Sequence, residues 1–179
     1  MRAAIVLTVI GPDRPGLVAL LSQTVAAHEG NWLESRMMRL AGKFSGIVLV
    51  NVPRARVREL TEALSELEAH GNKFMIEVIG AGEALGDQRA LSLELIGQDH
   101  PGIIRDISQA LASCNINIEE LVTKCVDASW SGESLFQAKA RLRVPQDMPT
   151  DELRKILEAL ANELMVDITL EDEPSAERD

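Results

Sequence analysis

The sequence predicts an α+β protein of two ferredoxin-like βαββαβ units in tandem, each an antiparallel four-stranded sheet with its helices on one face. Three observations carry this. The stretch "IGPDRPG" at residues 10–16 returns as "IGQDHPG" at 96–102. Further matches between the halves keep their order along the chain. Each half also runs through strand-like and helix-like hydrophobic patterns in the same succession.

The matches begin at the turn. Gly11, Asp13, Pro15 and Gly16 correspond to Gly97, Asp99, Pro101 and Gly102, and Asn31 corresponds to Asn117 at the same offset of 86. Phe44 and Pro53 match Phe136 and Pro145 at an offset of 92, so six residues enter the second half around "DASWSGES". The expected units are 1–80 and 89–172, joined by a glycine-rich polar linker at 81–88 and followed by an acidic tail at 173–179.

In the first half, residues 3–10 read as a strand. After the Pro-Gly turn, Leu17, Val18, Leu21 and Val25 keep helical spacing, and that helix should stop near Gly30. Residues 32–40 and 44–52 are two strands joined by "AGK", a hairpin closed off by Pro53. Val57, Leu60, Leu64 and Leu67 mark an amphipathic helix, and 73–79 is the last strand. The second half repeats this with strand 91–96, helix 103–111, hairpin strands 118–126 and 134–144, a helix through Leu153, Ile156, Leu157, Leu160 and Leu164, and strand 166–170. Right-handed crossovers place both helices of each unit on one side of the sheet. The strands carry enough apolar residues that the other face calls for a cover, either the sister unit or a second chain.

Composition narrows the function. Net charge is −10, and the excess lies in the second half: residues 1–86 hold nine basic and nine acidic side chains, residues 87–179 nine and nineteen. Such a chain is a poor direct binder of nucleic acid. Arg54, Arg56 and Arg58, with Arg36, Arg39 and Lys43, form the one basic stretch, read as a solvated face or a contact for an acidic protein. No apolar run reaches the length of a membrane helix, and the N-terminal apolar stretch reads as a first strand rather than a signal sequence. A cytoplasmic protein is expected. Two cysteines, Cys114 and Cys125, are too few for a disulfide framework or structural zinc; packed thiols are expected, and a redox pair is the alternative. His28, His70 and His100 show no metal spacing, and His28 and His70 fall at helix ends, where the dipole favours them. No cofactor, metal or catalytic motif is expected.

The repeated turn remains. Proline suits the first helical position, and Asp13 and Asp99 stand where a carboxylate complements the helix dipole. Glycine just inside a helix is costly, so Gly16 and Gly102 need a reason. One reading is close packing of the helix start against a strand. The other is a small anion, such as an amino-acid carboxylate, on free N–H groups at the helix mouth; on that reading a bulky residue at either glycine weakens binding more than folding. In "CNINI", Asn115 and Asn117 alternate with isoleucines and should share one side, with amides suited to an ammonium and a carboxylate. The turn and the asparagine strand come together only if the unit pairs with another copy.

"DRPG" and "DHPG" after an apolar strand, with asparagine near the next strand, resemble the ACT domain, a regulatory amino-acid-binding module. The tandem pair resembles the glycine cleavage system transcriptional repressor family. That resemblance implies a ferredoxin-like fold, no enzymatic activity, and control of a DNA-binding activator by protein contact, tuned by glycine. It implies pockets at Asp13, Pro15, Gly16, Leu17 and Asn31, and at Asp99, Pro101, Gly102, Ile103 and Asn117. His100 in place of Arg14, and Glu119 in place of Leu33, set the two pockets apart. Two alternatives stand beside this reading: an interaction module that needs no ligand, and a regulatory fragment related to formyltetrahydrofolate deformylase, whose catalytic domain has no counterpart here.

Overall fold

The computed structural model describes residues 1–79, 88–127 and 134–172. The chain forms two compact units, Met1–Glu83 and Ala84–Asp179. In the first, β1 (Arg2–Pro12), α1 (Leu17–Ala27), β2 (Asn31–Leu40), β3 (Lys43–Pro53), α2 (Val57–Glu66) and β4 (Lys73–Ile79) follow in order. In the second, β5 (Gln88–Gln98), α3 (Ile103–Ser113), β6 (Asn117–Asp127), β7 (Ser134–Pro145), α4 (Thr150–Leu164) and β8 (Val166–Asp172) repeat the series. The sheet orders are β2-β3-β1-β4 and β6-β7-β5-β8, antiparallel throughout. The expected linker falls outside the described residues except for Gln88, which opens β5; the acidic tail and most of the "DASWSGES" insertion also lie outside them.

Strand periodicity builds each core. Alternate residues Ile5, Leu7 and Val9 of β1 face the helices and are almost wholly buried, as are Val48, Val50 and Val52 of β3. Leu21, Val25, Leu60 and Leu64 close over them. The second unit packs Leu91, Leu93 and Leu95 with Leu142 and Val144 under Ile103, Ile107, Leu111, Leu153 and Leu157. Each fully buried leucine contributes about 1.5–3 kcal/mol relative to exposure.

Local chemistry closes the elements. Ala41 and Gly42, at φ 48° and 75°, form a two-residue hairpin turn whose twist suits the strands. A bulge interrupts β2 between Trp32 and Glu34, and β6 between Ile118 and Glu120. The extra residue is Leu33 in one and Glu119 in the other, and Glu119 accepts from Arg143 Nε at 2.9 Å.

The helix ends meet one expectation and correct another. α1 ends at Ala27, near Gly30 as expected, and the left-handed residue between them is Glu29 (φ 57°). Gly30 is glycine because a Cβ there would sit 2.6 Å from Val25 Cγ1 and 2.8 Å from Val25 O. Asn115 is likewise a left-handed residue (φ 56°) ending α3, so it stands in the turn and does not share a strand face with Asn117.

The uncovered sheet faces differ. On the first, Val6, Ile10, Ile47, Leu49 and Met75 alternate with the core positions. On the second, the matching places hold Ser92, Ile96, Lys139, Arg141 and Thr169, with a Lys139–Glu94 ion pair. The expected apolar open face is present in the first unit, and the second is largely polar.

Candidate functional site

The repeated turn delivers each chain segment from the end of the central strand to a helix start. Gly16 is not inside α1. It is the residue before it, at φ 90° and ψ −4°, and Leu17 is the first helical residue. Gly102 stands the same way before α3, at φ 106° and ψ −12°. Both glycines are required by a left-handed backbone that other residues adopt at a cost. A valine there strains the fold itself, so it does not separate binding from folding as the sequence suggested.

At α1 the mouth is open. No side chain caps Gly16 and no acidic residue stands in the first turn. The first helical bond runs from Leu20 N–H to Gly16 O at 2.8 Å. Pro15 and Gly16 form a turn into the helix, and the N–H groups of the first helical turn have no intrahelical partner, as at every helix start. A Cβ on Gly16 would meet no atom within 4 Å. A groove of about 210 Å³ lies here, lined by Pro12, Arg14, Pro15, Gly16, Leu17, Leu20 and Asn72. Leu17 belongs also to the buried set, 7% exposed.

Asp13 does not line this groove. Its carboxylate takes Arg39 Nε at 2.6 Å, and its N–H donates to Gly42 O at 3.1 Å, so it fastens the turn to the β2–β3 hairpin. Asn31 is elsewhere again. It pairs with Asn51, which faces Ala4 near the start of β1, whereas the turn follows the end of β1. Eight residues of strand separate them, roughly 27 Å. Within one unit, the expected five residues split into a turn cluster and a distant asparagine.

At α3 the mouth is covered. Arg105 Nε donates to Asp106 Oδ1 at 2.7 Å, and a Cβ on Gly102 would lie 3.0 Å from Arg105 Nη2 and 3.5 Å from Asp106 Oδ2. The hydrogen bond from Arg105 holds the Asp106 carboxyl below the usual range. His100 Nε2 donates to Leu164 O at 3.1 Å, tying the turn to the end of α4. Ile103 is a core residue at 2% exposure. Pro101 is exposed beside Gly102. Asp99 N–H donates to Ser134 O at 2.9 Å. Desolvation and then the neighbouring Asp99 carboxylate push the Cys125 thiol up. Cys125 is exposed and Cys114 half-buried, both as free thiols, so the expectation of two packed thiols fails for Cys125. Asn117 is exposed and pairs with Arg143, eight strand residues from its turn, as Asn31 is from its own.

Asn72 escaped the sequence reading. Ile10 pairs with Lys73 and Ile96 with Asp167, which puts Asn72 and Val166 in equivalent places. Each lies over a glycine: Asn72 Oδ1 fills the space a Cβ on Gly11 would need, and Val166 Cγ1 would lie 2.5 Å from one on Gly97. The offset between the halves changes after the second helix, so matching letters does not align the two.

The basic stretch is largely neutralised. Arg56 pairs with Glu59 and Glu29, Arg58 with Glu62, Arg36 with Glu34 and Arg39 with Asp13. Among the described residues no cluster of His, Cys, Asp and Glu could hold a metal, and no helix is long and apolar enough to cross a membrane.

Residues 3–78 match the family model of the ACT domain. A UPF0237 protein of Methanocaldococcus jannaschii is 33% identical over 75 residues, 42% of this chain and 82% of that protein. One from Methanopyrus kandleri is 35% identical over 74 residues, 41% of this chain and 81% of that protein. A solved structure of an unknown protein from Galdieria sulphuraria superposes with a TM-score of 0.84 at 31% identity, covering 97% of this chain and all of that one. A structure described as a candidate glycine cleavage system transcriptional repressor superposes at 0.70 with 18% identity, over 95% of this chain and 96% of that one, a likeness of fold.

Proposed function

The chain belongs to the ACT-domain family, a non-catalytic regulatory fold, and from that premise we propose that it senses a small α-amino acid and passes the signal on by protein contact. The open mouth of α1 over Gly16 supports this reading most directly. First-turn N–H groups without intrahelical partners, no first-turn acid and Arg14 at the groove favour a carboxylate. Glycine is the proposed ligand by the likeness of fold to the repressor structure, which is consistent also with a DNA-binding regulator as the protein partner.

Signalling needs a ligand that binds two arrangements unequally. Asn31 and Asn117, far from the turns of their own units, become part of a site when another copy supplies the turn. A homo-oligomer is therefore part of the proposal, with the ligand joining the turn of one copy to the asparagine strand of the other. The protein acts in the cytoplasm and makes no direct contact with nucleic acid, since Arg36, Arg39, Arg56 and Arg58 of its basic stretch are paired with acids.

Titration calorimetry with glycine, alanine and serine tests the reading. Saturable heat with at least one of them is expected. Silence across the panel favours the second reading, a ligand-independent interaction module. That reading has its own observation in the apolar open face of the first sheet, with Ile47 54% and Met75 59% exposed.

A further inference from the structure

We infer that the two units are not equivalent sensors: each chain carries one amino-acid site, in the first unit, and Asn72 is the residue that reads the ligand's ammonium. This rests on the amino-acid reading above and assigns it a residue and a stoichiometry.

Asn72 is 7% exposed and lines the groove at the α1 mouth. Its amide makes no hydrogen bond among the described residues. Its polar atoms are not sealed from solvent, so a ligand in the groove can reach them. Arg14 and the start of α1 line the same groove. A carboxylate on the helix start leaves the ammonium of an α-amino acid beside the amide oxygen, which accepts from it. Gly11 keeps this geometry possible, because any side chain there displaces the amide.

The second unit lacks every part. Val166 replaces Asn72 and offers no polar atom. The Arg105–Asp106 pair lies over Gly102, so the positive end of α3 already has its carboxylate. His100, in the place of Arg14, spends its Nε2 on Leu164 O. A ligand carboxylate there meets an acid and no free cation from the turn.

The test uses the full chain with glycine, and with acetate as a carboxylate lacking the ammonium. Calorimetry should give one glycine per chain and a clear preference for glycine over acetate. Amide NMR shifts on adding glycine should appear at Leu17, Val18 and Ala19 and not at Ile103, Ile104 and Arg105. Asn72→Val, which copies the second unit, should bind glycine about tenfold or more weakly and lose the preference over acetate. Two glycines per chain, shifts at both helix starts, or unchanged affinity in Asn72→Val overturns the inference and leaves amino-acid sensing standing. Wild-type protein that binds none of glycine, alanine and serine overturns both. Stoichiometry and shifts are read on the unaltered protein, so the inference stays testable if the variant melts early.

Discussion

Asn72 lies directly over Gly11, its Oδ1 occupying the space that a side chain at residue 11 would need. Val166 covers Gly97 in the same way, with its own Cα 2.9 Å from where a Cβ would stand. The glycine that precedes each repeated turn is thus explained by what the last strand of its unit places on it.

Alanine at these positions should report that packing. Gly11→Ala is expected to cost about 1–3 kcal/mol, the ordinary cost of overpacking. Gly97→Ala should cost more, because its Cβ comes within 2.9 Å of backbone, where that of Gly11→Ala stays 3.2 Å away and otherwise meets the end of a side chain. Urea denaturation followed by circular dichroism checks both; equal stability to the parent chain would contradict the packing account.

Gly16 makes a different prediction. It has open space and a left-handed backbone, so Gly16→Ala should lose about 1–2 kcal/mol through conformation alone. Gly16→Asn should lose less, since asparagine visits that region readily. Thermal melts of the two variants decide it, and an alanine variant as stable as the asparagine one would rule out the backbone explanation.

The Arg105–Asp106 pair predicts an acid-side effect. A carboxyl whose folded pKa is depressed stabilises the fold above its unfolded value, about 3.9 for aspartate. That contribution is lost as pH falls through the lower folded value. Asp106→Asn should therefore flatten the decline of melting temperature below about pH 4, by a small amount because the pair is at the surface. Carbon NMR titration of the Asp106 carboxyl gives the direct reading: below the usual range in the parent, and restored by Arg105→Ala.

Cys125 is held back as a thiolate by desolvation and by Asp99. Its alkylation by iodoacetamide near pH 8 should be slow for an exposed thiol, since only the thiolate attacks. Asp99→Asn should speed it. Cys114→Ser as the background isolates the signal, and an unchanged rate in Asp99→Asn would show that the carboxylate plays no part.

Much of the fold was legible because its signals are local. Alternating residues such as Ile5, Leu7 and Val9 announce a half-buried strand within a few positions, and Leu60 and Leu64 announce a helix face within one turn. The start of β4 at Lys73 and the end of β3 at Pro53 were readable for the same reason. The mouth of α1 was legible as a motif but not as a conformation. Proline and glycine in "DRPG" signal a turn, while whether Gly16 lies in the helix or before it depends on a single φ that the letters do not carry.

The sequence by itself determined the duplication, the succession of strands and helices, and the position of the two repeated turns, because each depends on residues near one another along the chain. The tertiary structure decided which turn stays open. Asp13 is drawn to Arg39, His100 to the end of α4, Asp106 to Arg105 over Gly102, and Asn72 to the groove. Three of these depend on long-range strand register or on helix ends brought together by packing, and even the Arg105–Asp106 contact matters only because the backbone bends Gly102 beneath it. Hydrogen bonds and charge pairs act over a few ångströms of space, whatever the separation in sequence, and only the folded chain sets those distances.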